Sequence, residues 1–234
     1  MKRSLYRRGG KLCFDAVAAG LALVLISPGL LLIALLVKLS SRGPILFSQM
    51  RVGMFGRPFR MYKFRSMREG ADRYSQLTAA GDPRITPLGS WLRRTKMDEL
   101  PQLLNVLIAQ MSLVGPRPEV PQFASHYTER QRKVLDVRPG MTGPSVIVRE
   151  EELLAAHEDK EGYYVSTIMP AKLEIDLDYR EKLSLRTDLQ ILYRTFVTLL
   201  TKVDRPFKSF PHLVNRPSKA HASVNEQKKD EVYS

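Results

Sequence analysis

Cysteine and histidine, the usual ligands of zinc and iron sites, are scarce in this chain of 234 residues. Cys13 is the single cysteine, which excludes a disulfide framework and any cysteine-based metal site and is typical of a reducing compartment. No Ser/His/Asp or Cys/His set for nucleophilic catalysis is evident. Neither a GxGxxG motif nor a P-loop is present, so a nucleotide would be bound by another kind of scaffold. The histidines, which show no metal-ligand spacing, are His126, His157, His212 and His221.

Acidic residues are nearly absent from the first 68 positions. This segment contains 13 of the 37 basic residues and one of the 24 acidic residues, Asp15, so the formal net charge of +13 comes almost entirely from it. It also contains the one long apolar run of the chain, residues 12–37. Basic flanks around an apolar run indicate an anionic membrane surface. We therefore predict membrane lipids, and no nucleic acid, as partners; a membrane-tethered nucleic-acid binder is the third and least favoured class.

The apolar run at 12–37 predicts a helix in the membrane, because it is longer than the roughly 20 residues that cross a bilayer core. Two features argue against a simple crossing. The basic residues on both sides would hold both ends on the cytoplasmic side, and Pro28 removes a backbone donor inside the run. We predict a re-entrant, monotopic helix broken at Ser27-Pro28, with the Ser27 hydroxyl bonded to a freed carbonyl. The alternative is an ordinary transmembrane helix kinked at the proline.

The rest of the chain is long enough for one compact domain with its own core. The composition, 44% hydrophobic and 26% charged, is typical of a globular protein and excludes a polytopic membrane protein. We predict an α+β fold, mostly helical. The predicted divisions are a basic flank at 1–11, the membrane helix at 12–37, one globular domain at 38–206 and a polar, disordered tail at 207–234.

Within the domain, local patterns predict the main elements. They are short strands and turns at 43–68, a helix at 92–109, an ordered loop at 113–121, a helix at 121–137, a turn at Gly140 and Gly143, and a last helix at 184–202.

Two adjacent carboxylates, Asp98 and Glu99, open the predicted helix that follows the basic stretch 93–96. Acidic residues are commonplace at helix N-termini, where the helix dipole favours them, so a purely structural role is the simplest interpretation. Their surroundings favour a functional one. Arg93 precedes them, and Arg117 lies on a rigid loop flanked by prolines, so two arginines could bind a phosphate while the carboxylates face a divalent cation.

Three weaker candidates lie in two alternating segments. In LEIDLDYR, Asp176 alternates with apolar residues, which is typical of a half-buried strand or helix end and also fits a third metal ligand. In YKFRSM, Lys63 and Arg65 alternate with aromatic residues. That pattern fits either a solvated strand face or further contacts to a phosphate.

Taken together, the motifs resemble one family. The chain is similar to the bacterial sugar transferases of the small monotopic phosphoglycosyl transferase family in five segments: KFRSM (63–67), LRRTKMDELPQLLNVL (92–107), SLVGPRPEVP (112–121), RPGMTGP (138–144) and KLEIDLDY (172–179). The Ser27-Pro28 pair adds to the likeness, which covers most of residues 10–200. DELPQL followed by SLVGPRP at this spacing is far more specific than either piece alone.

The resemblance implies transfer of a sugar-1-phosphate from a UDP-sugar to polyprenol (undecaprenyl) phosphate, with release of UMP, to initiate glycan or polysaccharide assembly. Asp98 would be the nucleophile of a covalent phosphosugar–aspartyl intermediate, and Glu99 its acid partner. The implied cofactor is Mg²⁺. The residues expected to hold the metal are Asp98, Glu99 and Asp176. The residues expected to bind substrate are Lys63, Arg65, Arg93 and Arg117.

The resemblance also implies a location, the bacterial inner (cytoplasmic) membrane with the globular domain on its cytoplasmic face. A homodimer is a further expectation. Many members have an aromatic residue after the RPGxTG turn, whereas this chain has Pro144-Ser145-Val146, a difference that we interpret as bearing on the sugar. The competing class is a non-catalytic, membrane-anchored scaffold of a glycan assembly complex. A scaffold predicts no UMP release from any sugar donor.

Overall fold

The computed structural model describes residues 6–71, 77–79, 81–147 and 150–201; the predicted tail at 207–234 lies outside them. The fold is α+β and mostly helical, as predicted. The helices are α1 (Lys11–Ser40), α2 (Pro87–Arg94), α3 (Gln102–Leu107), α4 (Pro121–Ala124), α5 (Glu129–Arg132), α6 (Glu150–Ala155), α7 (Lys160–Tyr163), α8 (Met169–Lys182) and α9 (Leu185–Thr201). The strands are β1 (Leu46–Val52), β2 (Pro58–Phe64), β3 (Ser112–Val114) and β4 (Gly140–Thr142).

Helix α1 runs without interruption through Pro28, so the predicted break of the helix at Ser27-Pro28 is not observed. The predicted serine bond is present. The Ser27 hydroxyl donates to the Val24 carbonyl at 2.9 Å. Because Pro28 has no N–H to donate to this carbonyl four residues before it, the serine supplies the missing bond and the helical path continues. By length and composition α1 could cross a membrane.

One face of α1 packs along the globular domain, and its opposite face is exposed. Asp15, Ala19, Ile33 and Val37 are buried on the packed face, at the spacing of one helical stripe. The exposed apolar residues of the opposite face are Val17, Leu21, Val24, Leu25, Leu31, Leu32, Leu35, Leu36 and Leu39. The helix is therefore part of the domain along its length and also presents a wide apolar surface.

Strands β1 and β2 form the antiparallel hairpin expected from the pattern at 43–68, in a register from Leu46 opposite Phe64 to Val52 opposite Pro58. The predicted helix at 92–109 is divided. Helix α2 ends where Lys96 takes a left-handed conformation (φ 57°), and Met97–Glu99 form one 3₁₀ turn before α3. Asp98 and Glu99 thus lie on a tight connection between two helices rather than at the start of a long one.

Strands β3 and β4 form a short parallel pair, with Ser112 opposite Gly140 and Val114 opposite Thr142. The predicted turn at Gly140 is therefore wrong, since Gly140 begins a strand. A Cβ on Gly140 would meet the Gly115 nitrogen at 2.1 Å, so the strands can approach only because both positions are glycines. The pairing holds the 115–119 loop against the domain.

The predicted helix at 121–137 is also divided, into α4, α5 and a 3₁₀ turn at Lys133–Asp136. Thr128 starts α5 with a capping box, which explains the interruption. The LEIDLDYR segment lies inside α8 rather than in a strand or at a helix end. Helix α9 matches the last predicted helix. The largest buried side chains of the main core are Phe123, Leu154 and Tyr164.

Candidate active site

Glu99 lines a cleft of about 1780 Å³, together with residues of the β1–β2 hairpin, the end of α2 and the 115–119 loop; Asp98 precedes it in the same 3₁₀ turn but does not line the cleft. Both are unusually buried for carboxylates, with exposed fractions of 4% and 8%. Buried carboxylates need a partner or a function, and the two residues differ in this respect.

Glu99 is neutralised by two cations. Its Oε1 accepts a hydrogen bond from Arg117 Nη2 at 3.0 Å and lies 3.6 Å from Lys63 Nζ. Burial raises the pKa of Glu99, but the charges of Arg117, Lys63 and Lys96 outweigh it, so the pKa lies far below its usual range and the carboxylate is ionised. The charge of Glu99 in turn raises the pKa of Arg117. Burial lowers the pKa of Lys63 to about 8.

Asp98 has no such partner. Its Oδ1 is buried and accepts no hydrogen bond from any part of the chain that the structure describes. Burial, and then the neighbouring charge of Glu99, raise the pKa of the Asp98 carboxyl. Once ionised, an oxygen that is desolvated and unpaired has no hydrogen bond to lose when it attacks an electrophile or binds a cation.

The two adjacent carboxylates fit a Mg²⁺ ion, which commonly takes one or two protein carboxylates and completes its shell with substrate phosphates and water. The unpaired Asp98 Oδ1 is the direct sign of this fit. Within the described ranges, no group of three or more His, Cys, Asp or Glu side chains is placed to hold a metal. Asp176 is therefore not grouped with Asp98 and Glu99 in this structure, and its role as a third metal ligand stays a prediction.

Asp176 lies instead on α8, beneath the 115–119 loop and beside a small cavity. Ser145 Oγ donates a hydrogen bond of 3.0 Å to its Oδ2, while Oδ1 has no partner among the described residues. Burial raises the pKa of Asp176 to about 7. The sequence pattern could not show this position, because it gives the face of a helix but not which side of a neighbouring loop that face meets.

Of the predicted basic residues, the structure brings Lys63 and Arg117 to the carboxylates. Arg65, one residue beyond the end of β2, also lines the cleft, but its guanidinium donates to the Val37 carbonyl at 3.1 Å and the Ser41 carbonyl at 2.6 Å. It therefore satisfies carbonyls at the C-terminal end of α1 that have no partner within the helix. Its predicted contact with substrate stays untested, but its bonds in this structure are to the backbone.

Arg93 lines the cleft near the end of α2. Its guanidinium forms an ion pair with Glu151 of α6, a residue with an exposed side chain. The positive charge of Arg93 reaches Asp98 and opposes the rise of its pKa. Arg93 thus faces the same cleft as the carboxylates but is bound to an acidic residue there.

Sequence reasoning missed a second buried polar network at the edge of the cleft. Lys172 Nζ donates to Glu150 at 2.6 Å and lies 3.2 Å from the Tyr164 hydroxyl, which donates to Glu119. Arg51 lies 3.6 Å from Glu119. Two of these residues, Glu119 and Lys172, lie within motifs already quoted. Their partners are distant in sequence, so no local spacing pointed to the network.

Comparison with known proteins gives a match between residues 6–202 and the model of a protein family described as bacterial sugar transferase. The chain is 40% identical over 189 residues to the UDP-glucose:undecaprenyl-phosphate glucose-1-phosphate transferase of Escherichia coli strain K12. The aligned region covers 77% of this chain and 38% of that protein. A protein of the same name from Caulobacter vibrioides is 41% identical over 196 residues, 82% of this chain and 70% of its own length.

The exopolysaccharide production protein PSS of Rhizobium leguminosarum bv. phaseoli is 39% identical over 208 residues, 82% of this chain and 96% of that protein. The chain thus spans nearly the whole length of the Rhizobium protein and less than half the length of the Escherichia coli protein.

Proposed function

The chain belongs to the bacterial sugar transferase family, and we propose that it transfers a sugar-1-phosphate from a UDP-sugar to polyprenol phosphate, with release of UMP. The names of two relatives describe a glucose-1-phosphate transferase that acts on UDP-glucose and undecaprenyl phosphate. The observation that carries the proposal in this chain is the contrast between its two buried carboxylates. Glu99 lines the cleft and is neutralised by Arg117 and Lys63, whereas the adjacent Asp98 has a buried oxygen, Oδ1, with no partner among the described residues.

In the proposed first step, an Asp98 oxygen attacks the phosphorus that carries the sugar. A P–O bond forms to the carboxylate, the P–O bond to UMP breaks, and UMP leaves with the electron pair. In the second step a phosphate oxygen of polyprenol phosphate attacks the same phosphorus, and the bond to Asp98 breaks, which restores the carboxylate. Splitting the transfer in this way lets a soluble and a lipid substrate use one site in turn.

The cations of the site serve this chemistry because a carboxylate and a diphosphate repel each other. Arg117 and Lys63 are already fixed by Glu99, so they are oriented before substrate arrives. Mg²⁺, when bound by Asp98 and Glu99, would offset the remaining negative charge of the diphosphate. Arg93 lines the same cleft and would meet the phosphates of the donor after leaving Glu151.

We further propose that α1 lies in the cytoplasmic leaflet of the bacterial inner membrane, so that both of its ends stay on the cytoplasmic side without the predicted break of the helix. Both of its ends are bound to the same domain: Asp15 accepts bonds from Ser112 and Leu113, and Arg65 binds carbonyls at the other end. A straight helix of this length extends about 45 Å, so a perpendicular crossing would carry one end of the domain through the bilayer. A helix that lies shallowly in the membrane, with its exposed apolar face in lipid, leaves the whole domain on one side of the bilayer.

The experiment that tests the function is UMP release from the purified protein in detergent, with Mg²⁺, polyprenol phosphate and a panel of UDP-sugars. We expect release with at least one donor, and its loss in Asp98→Asn. The control is Asp136→Asn, which removes a partly exposed aspartate whose partner Arg180 lies away from the carboxylates. Silence of the folded wild-type protein with every donor would instead favour the non-catalytic scaffold.

The covalent step has its own test. Wild-type protein given the donor without polyprenol phosphate should gain the mass of one sugar phosphate, and Asp98→Asn should gain none. Turnover with no mass gain at any time after mixing would contradict the aspartyl intermediate and favour direct transfer between the two substrates.

A further inference from the structure

The N-terminal end of α1 is held by a buried polar cluster that the proposed chemistry does not use. The cluster joins the start of α1 to α8, α9 and β3, and we call it the polar clamp. Its members are Tyr6, Lys11, Asp15, Ser112, Tyr179 and Asp188.

Asp188, in the first turn of α9, is the centre of the polar clamp. It is completely buried, with an exposed fraction of 0%. Its Oδ2 accepts from the Tyr6 hydroxyl at 2.6 Å and from Lys11 Nζ at 2.5 Å, and its Oδ1 accepts from the Tyr179 hydroxyl at 2.7 Å. A buried carboxylate with three donors from three parts of the chain fixes those parts relative to each other.

The polar clamp also forms hydrogen bonds to three consecutive residues of strand β3, Ser112, Leu113 and Val114. Asp15 accepts from the Ser112 hydroxyl at 2.7 Å and from the Leu113 amide at 3.2 Å. The Tyr179 hydroxyl lies 3.1 Å from the Val114 carbonyl. Lys11 connects the two halves, since it lies 3.8 Å from Asp15 and also binds Asp188.

Strand β3 leads directly to the active-site loop. Arg117 follows Val114 by three residues, and the connection is held by the Gly115 amide, which donates to the Thr142 carbonyl at 2.9 Å. Arg117 then binds Glu99 at 3.0 Å. A short, hydrogen-bonded path therefore runs from the start of α1 to Arg117, the cation that binds Glu99.

We propose that Asp188 is a positioning residue: through the polar clamp it fixes the height of Arg117 and the two carboxylates relative to the membrane helix. The inference rests on the proposed function. A soluble UDP-sugar can follow the site wherever it lies, but the phosphate of a lipid stays at headgroup depth. Loosening the polar clamp therefore impairs use of the lipid substrate and spares use of the soluble donor.

The test is Asp188→Asn in the full chain, reconstituted in lipid nanodiscs that contain polyprenol phosphate. The amide keeps the shape of the side chain but loses the charge that binds Lys11. We expect kcat/KM for polyprenol phosphate to fall about tenfold, a difference equal to 1.4 kcal/mol, while kcat/KM for the UDP-sugar and the rate of enzyme labelling by donor alone change less than twofold. Asp136→Asn serves as the matched control.

A milder variant keeps the proposal testable if Asp188→Asn fails to fold. Tyr6→Phe removes one hydroxyl from Asp188 and should show the same split with a smaller loss. Equal losses for the lipid and the donor, or no loss for either in both variants, would overturn the positioning role. A wild-type protein that releases no UMP would refute the proposed function itself, and is thus a separate outcome.

Discussion

Arg117 gives the sharpest test of how the site is built. It is the nearest cation to Glu99, at 3.0 Å, and lies on the loop that faces the cleft. Arg117→Met keeps an unbranched apolar side chain but removes the guanidinium and its charge. Glu99 would remain buried with Lys63 as its cation, at 3.6 Å. We expect a loss of about 1.5–3 kcal/mol in the free energy of unfolding, the value of a hydrogen bond to a charged group.

The loss in activity should be larger than the loss in stability suggests. A preoriented donor that faces developing charge contributes about 10²–10³-fold to kcat, so UMP release by Arg117→Met should fall by that factor. Arg117→Lys keeps the charge but loses the planar fork that can bind a carboxylate and a phosphate together. We expect it to recover part of the rate and most of the stability.

A double-mutant cycle with Glu99→Gln separates the two roles of Arg117. If the arginine acts in part by fixing Glu99, the loss in the double variant will be smaller than the sum of the single losses. The measurements are UMP release at saturating donor and thermal unfolding followed in the same detergent. Release by Arg117→Met within threefold of the wild-type rate would refute the proposed role of this loop.

Three further predictions concern the surroundings of the site. Glu151→Gln removes the ion pair of Arg93 and frees its guanidinium for the donor, so KM for the UDP-sugar should fall severalfold at unchanged kcat. The control is Glu158→Gln, which changes an exposed glutamate. An unchanged KM would show that the ion pair does not compete with substrate. Burial raises the pKa of Asp176 to about 7, so this group favours the folded state below its ordinary value of 3.8 and that stabilisation is lost as pH rises towards 7. Asp176→Asn should therefore raise the melting temperature relative to wild type at pH 8 more than at pH 5, and a pH-independent difference would contradict this assignment. Removal of divalent cations with a chelator should abolish UMP release, and Mg²⁺ should restore it; activity that persists would contradict the metal proposal.

Local patterns predicted the elements that are set by local contacts. The β1–β2 hairpin and α9 were evident from alternation and helical spacing, because each buries one face of a single element. The prediction of one helix at 92–109 was wrong because the apolar residues keep a helical spacing throughout this segment, whereas the helical backbone conformation is interrupted between α2 and α3. Lys96 adopts a left-handed conformation that periodicity cannot register.

The site was predicted in part for the same reason. Asp98 and Glu99 are adjacent, and Arg117 lies on a loop marked by its prolines, so their chemistry was visible in short segments. Arg65 shows the limit of this reasoning. Its alternation with aromatic residues was correct, but β2 ends at Phe64, and beyond a strand end the alternation no longer says which way a side chain points.

Some basic residues of the N-terminal flank bind the protein itself, although their number indicates binding to an anionic bilayer. Lys11 is largely buried and pairs with Asp188, and Arg7 donates to the Glu181 carbonyl at 2.8 Å. These cations are separated from their partners by more than 170 positions in the sequence, so the sequence showed that they are charged but not which groups they bind. Part of the positive charge that indicated an anionic bilayer thus binds the membrane helix to its own domain. It follows that neutralising Lys11 should impair the geometry of the site before it impairs adhesion to lipid, whereas Lys38, exposed at the other end of α1, should show the reverse.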